Sequence, residues 1–334
     1  MRLAIRQCAA CAQGLLAACA SAADTDVEQE SAREDTPRME VDHGGGHGER
    51  PFEPPPPRHG YVRIEAPVIE RITPGTDQEY CHYVTAPLDR DLDVLDVDGF
   101  QSTGGHHAVA YAIQPTAPVG TSRPCTDDDN LVASFLGGIG GEGSAGAVLP
   151  PGVAFRLPRG HAIQVNAHYV NGTDHDLTGR AVLDFAFAEV TTERTVASLF
   201  SNGSLTFSLP PGERSTLVAE CVVPRELRFI MIANHMHDHG ASARTEVVRM
   251  TGEIELLQED PRWRKDMAYQ PVFRHYPPEQ PLVLRPGDIV RTRCDWNNTT
   301  DDTIAFPREM CFGTGFFLSD GATRPLCLDG AWQE

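Results

Sequence analysis

The chain has 334 residues, with 47 acidic and 28 basic side chains, and a formal net charge of −19. Lys265 is its only lysine and no Arg cluster replaces the missing ones. Because phosphate recognition needs clustered basic residues, the composition argues against a nucleic-acid-binding protein. The sequence also lacks a heptad pattern and a Gly-X-Y period, which excludes a coiled coil and collagen. The length predicts about two domains.

Residues 1–19 are predicted to be a targeting segment. Arg2 and Arg6 precede a modestly apolar stretch that ends in Leu16-Ala17-Ala18-Cys19. A positive start followed by apolar and small residues is typical of a signal peptide. The last four residues resemble a bacterial lipobox, which predicts lipidation of Cys19 and attachment to a membrane. An ordinary signal peptide cut nearby is the alternative. In both cases we expect an exported protein, in the bacterial periplasm or at the cell surface.

Residues 20–58 are predicted to form a disordered linker. Acidic residues dominate from Asp24 to Glu49, a four-proline run follows, and large apolar side chains are scarce. A segment of this composition cannot bury a core. His43 and His47 flank three glycines in this segment, and we interpret them as solvated linker residues.

Short strands are predicted throughout the rest of the chain. Runs rich in β-branched and other apolar residues recur at 61–64, 107–113, 162–167, 181–187, 226–232, 246–250, 252–257, 282–284 and 288–293. Turn sequences such as Pro150-Pro151-Gly152 and Pro210-Pro211-Gly212 separate them. Short strands with frequent turns are typical of β-sandwiches and barrels. We therefore predict an all-β fold with two consecutive antiparallel β-sandwich domains, 59–195 and 196–334.

The cysteines support export. Cys8 and Cys11 leave with the predicted signal peptide, and Cys19 is the predicted lipid site. The remaining even set implies disulfide bonds in an exported chain: Cys81, Cys125, Cys221, Cys294, Cys311 and Cys327. The two-domain division predicts that Cys81 pairs with Cys125. The other four cysteines have three alternative pairings, and their positions do not choose among them.

Two motif matches are interpreted as coincidental. Gly138–Gly143 fits the dinucleotide-binding pattern GxGxxG, but Pro150 and Pro151 soon follow and cannot open the helix that the motif requires. Ser144 misses the nucleophile motif GxSxG because Glu142 occupies its first glycine position.

The histidines carry the strongest functional signal. His235 and His237 end an apolar run, and residues two apart in a strand share a face, so they form a chelating pair. His106 and His107 follow two glycines, which permit the irregular strand start that both rings need to reach one metal. His168 lies at the end of another run. Imidazole ligands suit copper, zinc and iron.

Met310 extends the pattern toward copper. It precedes Cys311, so a disulfide would fix its position. Its thioether is a soft ligand that favours Cu(I), whereas imidazole also suits Cu(II). Two histidines and a methionine therefore favour a copper that cycles between both states. An ordinary core position is the alternative for Met310.

Taken together, these motifs resemble the copper type II, ascorbate-dependent monooxygenases, the family of peptidylglycine α-hydroxylating monooxygenase and dopamine β-monooxygenase. The resemblance rests on four motifs in chain order: His106-His107, His168-Tyr169, His235-Met236-His237 and Glu309-Met310-Cys311. It implies two jelly-roll-like β-sandwich domains that each bind one copper. It also implies three disulfides: Cys81–Cys125, Cys221–Cys327 and Cys294–Cys311.

The resemblance further implies roles for the six ligands. His106, His107 and His168 would bind the copper that stores an electron. The catalytic residues His235, His237 and Met310 would bind the copper at which O₂ reacts. The implied reaction hydroxylates a C–H bond of a small organic substrate, with O₂ and a one-electron donor such as ascorbate as co-substrates.

The chain departs from the peptide-hydroxylating members of that family. Their Arg two residues before the His-x-His pair is Ala233 here, and their Asn and Tyr after the copper-binding Met are Phe312 and Thr314. In those members the Arg binds the carboxylate of the substrate. The absence of this clamp here disfavours glycine-extended peptides and leaves the substrate-binding residues unassigned. Asn234 and His239 adjoin the pair, and either line the site or lie behind it.

Other function classes stay open beside the favoured copper monooxygenase. A non-catalytic copper-binding exported lipoprotein would bind metal without ascorbate-dependent O₂ consumption. A structural or adhesive exported protein would hold no stoichiometric copper. A zinc hydrolase would need an acidic base, for which Asp238 is the one close candidate in the sequence. The sequons at Asn171, Asn202 and Asn298 would matter only in a eukaryotic host.

Overall fold

A computed structural model describes residues 51–126, 129, 133–142, 148–268, 270–306, 308–319 and 325–333. The predicted signal peptide, Cys19 and most of the predicted linker lie outside these residues. So do Gly143 and Ser144 of the two coincidental motifs. The described residues lie within one compact unit.

Nearly all of the described structure is β, which confirms the predicted all-β fold. The strands of the first half are β1 (Val62–Glu65), β2 (Ile69–Ile72), β3 (Asp77–Tyr83), β4 (Leu92–Gln101), β5 (Gly105–Ile113), β6 (Ser122–Pro124), β7 (Ser134–Gly140), β8 (Val153–Leu157), β9 (Ala162–Val170), β10 (Leu177–Gly179) and β11 (Ala181–Glu189). The elements of the second half are β12 (Thr195–Gly203), β13 (Ser208–Leu209), β14 (Arg214–Val222), β15 (Leu227–His235), β16 (Gly240–Val248), β17 (Ile254–Asp260), a 3₁₀ helix (Lys265–Ala268), β18 (Arg274–His275), β19 (Leu282–Leu284), β20 (Ile289–Asn297), β21 (Ile304–Ala305), β22 (Phe312–Ser319), β23 (Leu326–Leu328) and β24 (Ala331–Gln333).

The first half is a sandwich of two antiparallel layers. One layer has the strand order β6-β3-β9-β5-β7, and the other has the order β1-β11-β4-β8. Alternate residues of both layers point inward and form a single apolar core. Ala110 and Val165 represent the first layer in that core, and Val97 and Leu183 represent the second.

The second half repeats this arrangement. The sheet β14-β20-β16-β17 packs against β12-β22-β15. Buried Val247 and Val290 from the first of these sheets share a core with Phe200, Phe229 and Phe317 from the second.

The two halves are joined by a sheet and by an apolar interface. β8 pairs with β12 in parallel, so that Val153 lies opposite Thr195, at the predicted domain boundary. An aromatic cluster also crosses between the halves: the ring of Phe316 lies 5.3 Å from Phe135 and 5.2 Å from Phe155. The first half therefore faces the surface of the second half that carries Phe316.

Three disulfides stabilise the fold. They join Cys81 to Cys125, Cys221 to Cys327, and Cys294 to Cys311. This is the same pairing that the family resemblance implies. Disulfides of this number are typical of chains that fold in an oxidising compartment. Among the described residues, no helix has the length and apolar character needed to cross a membrane.

Two of the sequons hold equivalent loops in the two halves. Asn171 donates from Nδ2 to the carbonyl oxygens of Ile72 and His175. Asn298 donates in the same way to Leu209 and Asp302. Both side chains are buried, so their role in the fold is to satisfy backbone groups of these loops.

Candidate metal centres

A bulge at the start of β5 brings His106, His107 and His168 together. His107 lies directly opposite His168 on β9, so their side chains share a face of the sheet. The register shifts between Gly105 and His107, which turns His106 toward the same face. Gly104 has a φ of 83°, in the left-handed region that glycine favours. The irregular strand start expected from the two glycines is therefore present.

The three imidazoles form a compact donor set. Their candidate ligand nitrogens all lie within 4.8 Å of one another. Nδ1 of His106 lies 3.2 Å from Nδ1 of His107. Two nitrogens bound at normal distances to one tetrahedral ion would lie about 3.3 Å apart. Nδ1 of His168 is buried and has no hydrogen-bond partner among the described residues. These observations fit a metal ion held by three Nδ1 atoms.

Carboxylates occupy the outer nitrogens of two of these rings. Nε2 of His168 lies 2.6 Å from Oδ1 of Asp77, and Nε2 of His107 lies 3.1 Å from Oε1 of Glu79. Both acidic residues are on β3, which pairs with β9 and places Glu79 opposite His168. Sequence reasoning missed Asp77 and Glu79. The sequence does show that these two acidic residues are two positions apart, which places them on one face of a strand. It does not show that β3 pairs with β9, which brings them to the histidines.

Burial keeps His106 and His107 neutral. Burial lowers the pKa of His106 to about 3, with further lowering by the nearby His107 and His168. Burial also lowers the pKa of His107, against the opposing effect of its hydrogen bond to Glu79. Neutral imidazole is the form that binds metals, so the rings of His106 and His107 are available as ligands at physiological pH.

The second pair lies at the end of β15. The rings of His235 and His237 have centroids 5.1 Å apart and are nearly perpendicular. Nδ1 of His237 lies 3.3 Å from the carbonyl oxygen of Arg308, which leaves Nε2 as the ligand atom. The pKa of His235 is well below its ordinary value, chiefly because of burial, with contributions from His237 and then from His107 and His106. The two histidine clusters are therefore close enough to affect each other electrostatically.

Glu309 connects this pair to Met310. Its side chain is fully buried and accepts hydrogen bonds from the backbone amides of His237, His239 and Met310. The following residue, Cys311, is tied to Cys294. The backbone of Met310 is thus held beside the turn that carries His237. Glu309 belonged to a sequence motif, but its role as a clamp was not predicted.

The wall beside His235 is made of small and apolar residues. Three cross-strand rows on one face of β12, β22 and β15 form it: Gly203–Phe312–His235, Ser201–Thr314–Ala233 and Leu199–Phe316–Met231. The ring of Phe312 is half-buried and packs over Gly203, where a Cβ would lie 2.2 Å from its Cδ1. The hydroxyl of Thr314 donates to the carbonyl oxygen of Phe200. The side chains of these rows therefore place no charge beside the imidazole of His235.

The structure shows where the two neighbours of the His235–His237 pair, Asn234 and His239, lie. Asn234 is buried on the opposite face, where its Nδ2 donates to Asp260 at 2.6 Å and its Oδ1 accepts from Thr245. It therefore lies behind the site. His239 contributes its backbone amide to Glu309, and its side chain is half-buried. Asp238 is exposed and forms an ion pair with Lys265 at 3.1 Å.

Comparisons with known proteins give no family. No family model matches the chain, and no curated protein matches it. Among solved structures, the chain is similar to PNGase F, a glycosylasparaginase from Flavobacterium meningosepticum, with 9% sequence identity and a TM-score of 0.36. That match covers 79% of this chain and 97% of PNGase F.

Proposed function

We propose that the protein is a copper-dependent monooxygenase, which hydroxylates a C–H bond of a small organic molecule with O₂ and a one-electron donor such as ascorbate. The observation that carries this proposal is the presence of two histidine clusters, His106/His107/His168 and His235/His237. One offers three inward Nδ1 atoms, and the other combines two imidazoles with a neighbouring methionine backbone.

The six proposed ligands form two copper sites. His106, His107 and His168 hold one ion in an all-imidazole set. His235 and His237 hold the other, together with the thioether of Met310. When bound, copper supplies one-electron chemistry with O₂, which hydroxylation of an unactivated C–H bond needs.

The chain itself positions the substrate and the ligands. Phe312 and the small residues beneath it offer an uncharged surface next to His235, which favours a neutral substrate. Glu309 holds the turn of His237 at a fixed distance from Met310. We also propose that the chain is exported and attached to a membrane through a lipid on Cys19.

Copper stoichiometry with matched variants tests this function. Wild-type protein should bind two coppers per chain, and His168→Ala and Met310→Ala should each lose one. His175→Ala is the control, because the ring of His175 is exposed and pairs only with Asp174 in the described structure. Ascorbate-driven O₂ uptake with neutral candidate substrates should require both coppers.

The principal alternative is a non-catalytic copper-binding protein, favoured by the compact three-histidine set alone. Two bound coppers without O₂ uptake across a broad substrate panel would support that alternative. One copper or none would contradict the two-site proposal.

A further inference from the structure

The acidic residues on β3 distinguish the first histidine cluster from the second. Asp77 and Glu79 are two positions apart in a strand, so both project toward the same face. Each contacts the outer nitrogen of a different imidazole, at 2.6 Å for Asp77 with His168 and at 3.1 Å for Glu79 with His107. Two of the three imidazoles in this cluster therefore have a carboxylate partner.

These contacts determine which ring nitrogen faces inward. A neutral imidazole carries one proton, and an Nε2 that faces a carboxylate keeps that proton. The lone pair then lies on Nδ1 of both His107 and His168. The inward position of Nδ1 in His168, buried without a partner in the described structure, agrees with this assignment.

The same contacts add negative charge around the first cluster. A carboxylate that accepts the N–H of a metal-binding imidazole makes the ring a stronger donor and stabilises the higher charge on the ion. The second cluster has a different partner: Nδ1 of His237 faces the neutral carbonyl of Arg308. A soft thioether beside it favours the lower oxidation state.

We propose that Asp77 and Glu79 are positioning residues, which hold His168 and His107 with Nδ1 toward the metal and make the first cluster prefer a divalent ion such as Cu(II) over Cu(I). This inference rests on the proposed metal binding at that cluster. It assigns the two clusters different preferences from their surroundings, and no direct contact of either carboxylate with the ion is required.

Metal affinity in the full-length chain tests the proposal. The second cluster is first removed by His235→Ala and His237→Ala, so that one site remains. Asp77→Asn and Glu79→Gln are then compared with Asp174→Asn, a matched control whose carboxylate lies 3.0 Å from the exposed His175. Chelator competition measures binding of Cu(II), Cu(I) and Co²⁺, and a redox titration followed by the Cu(II) EPR signal measures the midpoint potential.

Each β3 variant should weaken Cu(II) and Co²⁺ binding by about 10- to 100-fold. Cu(I) binding should change less, so the midpoint potential should rise, while Asp174→Asn should behave as the parent. In the metal-free parent, long-range ¹H–¹⁵N spectra should show His107 and His168 protonated at Nε2. Unchanged affinities and potential in both β3 variants, or protonation at Nδ1 in both histidines, would overturn the proposal.

The outcome is separable from the proposed enzymatic function. If the variants show these shifts but the wild-type protein shows no O₂ uptake, the positioning role is supported and the monooxygenase function is contradicted. A parent that binds none of the three ions would overturn both.

Discussion

The backbone amides of His237 and Met310 donate to the same oxygen, Oε1 of Glu309. The other oxygen of that carboxylate accepts from the amide of His239 at 2.9 Å. A buried carboxylate with several backbone donors is strongly stabilised, and removing it leaves those donors unsatisfied. Glu309 therefore links two separate segments that both serve the second proposed copper site.

Glu309→Gln should loosen this link, because an amide group accepts fewer hydrogen bonds than a carboxylate. Its NH₂ group would also face backbone N–H groups that need an acceptor. We expect a loss of about 1–3 kcal/mol in the free energy of unfolding. Copper at the second site should weaken while the first site keeps its copper. Urea unfolding and copper stoichiometry measure the two effects. Glu193→Gln, at an exposed position, is the control. If Glu309→Gln matches this control in both measurements, Glu309 does not link the two segments.

Phe312 should determine which substrates bind beside His235. Its half-buried ring lies directly opposite His235, and the row beneath it contains Ala233 and Thr314. Phe312→Ala should remove an apolar contact worth about 1.5 kcal/mol and lower kcat/KM for a neutral aromatic substrate roughly tenfold. Steady-state O₂ uptake measures this.

A matched change at Thr314 provides the control for Phe312. Thr314→Val keeps the size of the side chain, and the hydroxyl that it removes already donates to the carbonyl of Phe200. It should leave the preference for neutral substrates unchanged. A wild-type preference for substrates that carry a carboxylate would contradict the uncharged wall.

His82 should make the protein sensitive to acid. It is 1% exposed, and neither ring nitrogen has a partner among the described residues. Burial lowers its pKa to about 4, compared with about 6.5 in an unfolded chain. Below pH 6.5 the unfolded chain takes up a proton that the folded chain refuses, so stability falls as the pH drops from 6.5 to 4.

His82→Phe should remove that pH dependence, which amounts to about 3 kcal/mol at pH 4. The measurement is urea unfolding of metal-free wild type and variant at pH 7 and pH 4.5. The variant should gain stability relative to wild type at the lower pH, whereas His175→Phe at an exposed position should not. Parallel losses in wild type and His82→Phe would show that other groups cause the acid sensitivity.

The sequence predicted the all-β fold and the meeting of His106 with His107, because both follow from local rules. Short runs of β-branched and apolar residues between turn sequences indicate strands, and two glycines indicate an irregular strand start. Asp77 was not predictable because it meets His168 across 91 residues of chain, through the register of β3 with β9. Glu309 was missed as a clamp for a related reason. A charged residue is usually exposed, and only the packed structure shows that this one is buried.

Gly104 should be essential for the first cluster. Its φ of 83° costs another residue about 1–2 kcal/mol, and a Cβ there would lie 2.9 Å from Cδ1 of Leu177 and 3.1 Å from the carbonyl oxygen of Val170. Gly104→Ala should therefore disturb the bulge that turns His106 toward His107. We expect one copper to be lost from the first cluster, with the second cluster unaffected.

Gly120→Ala separates backbone strain from damage to the site. Gly120 has a similar φ of 86°, but a Cβ there would meet nothing within 4 Å. Both variants should lose stability in urea unfolding, because both place alanine in the left-handed region. Only Gly104→Ala should also lose copper, since only its backbone supports the bulge. Full copper binding by Gly104→Ala would mean that the three histidines converge without this glycine.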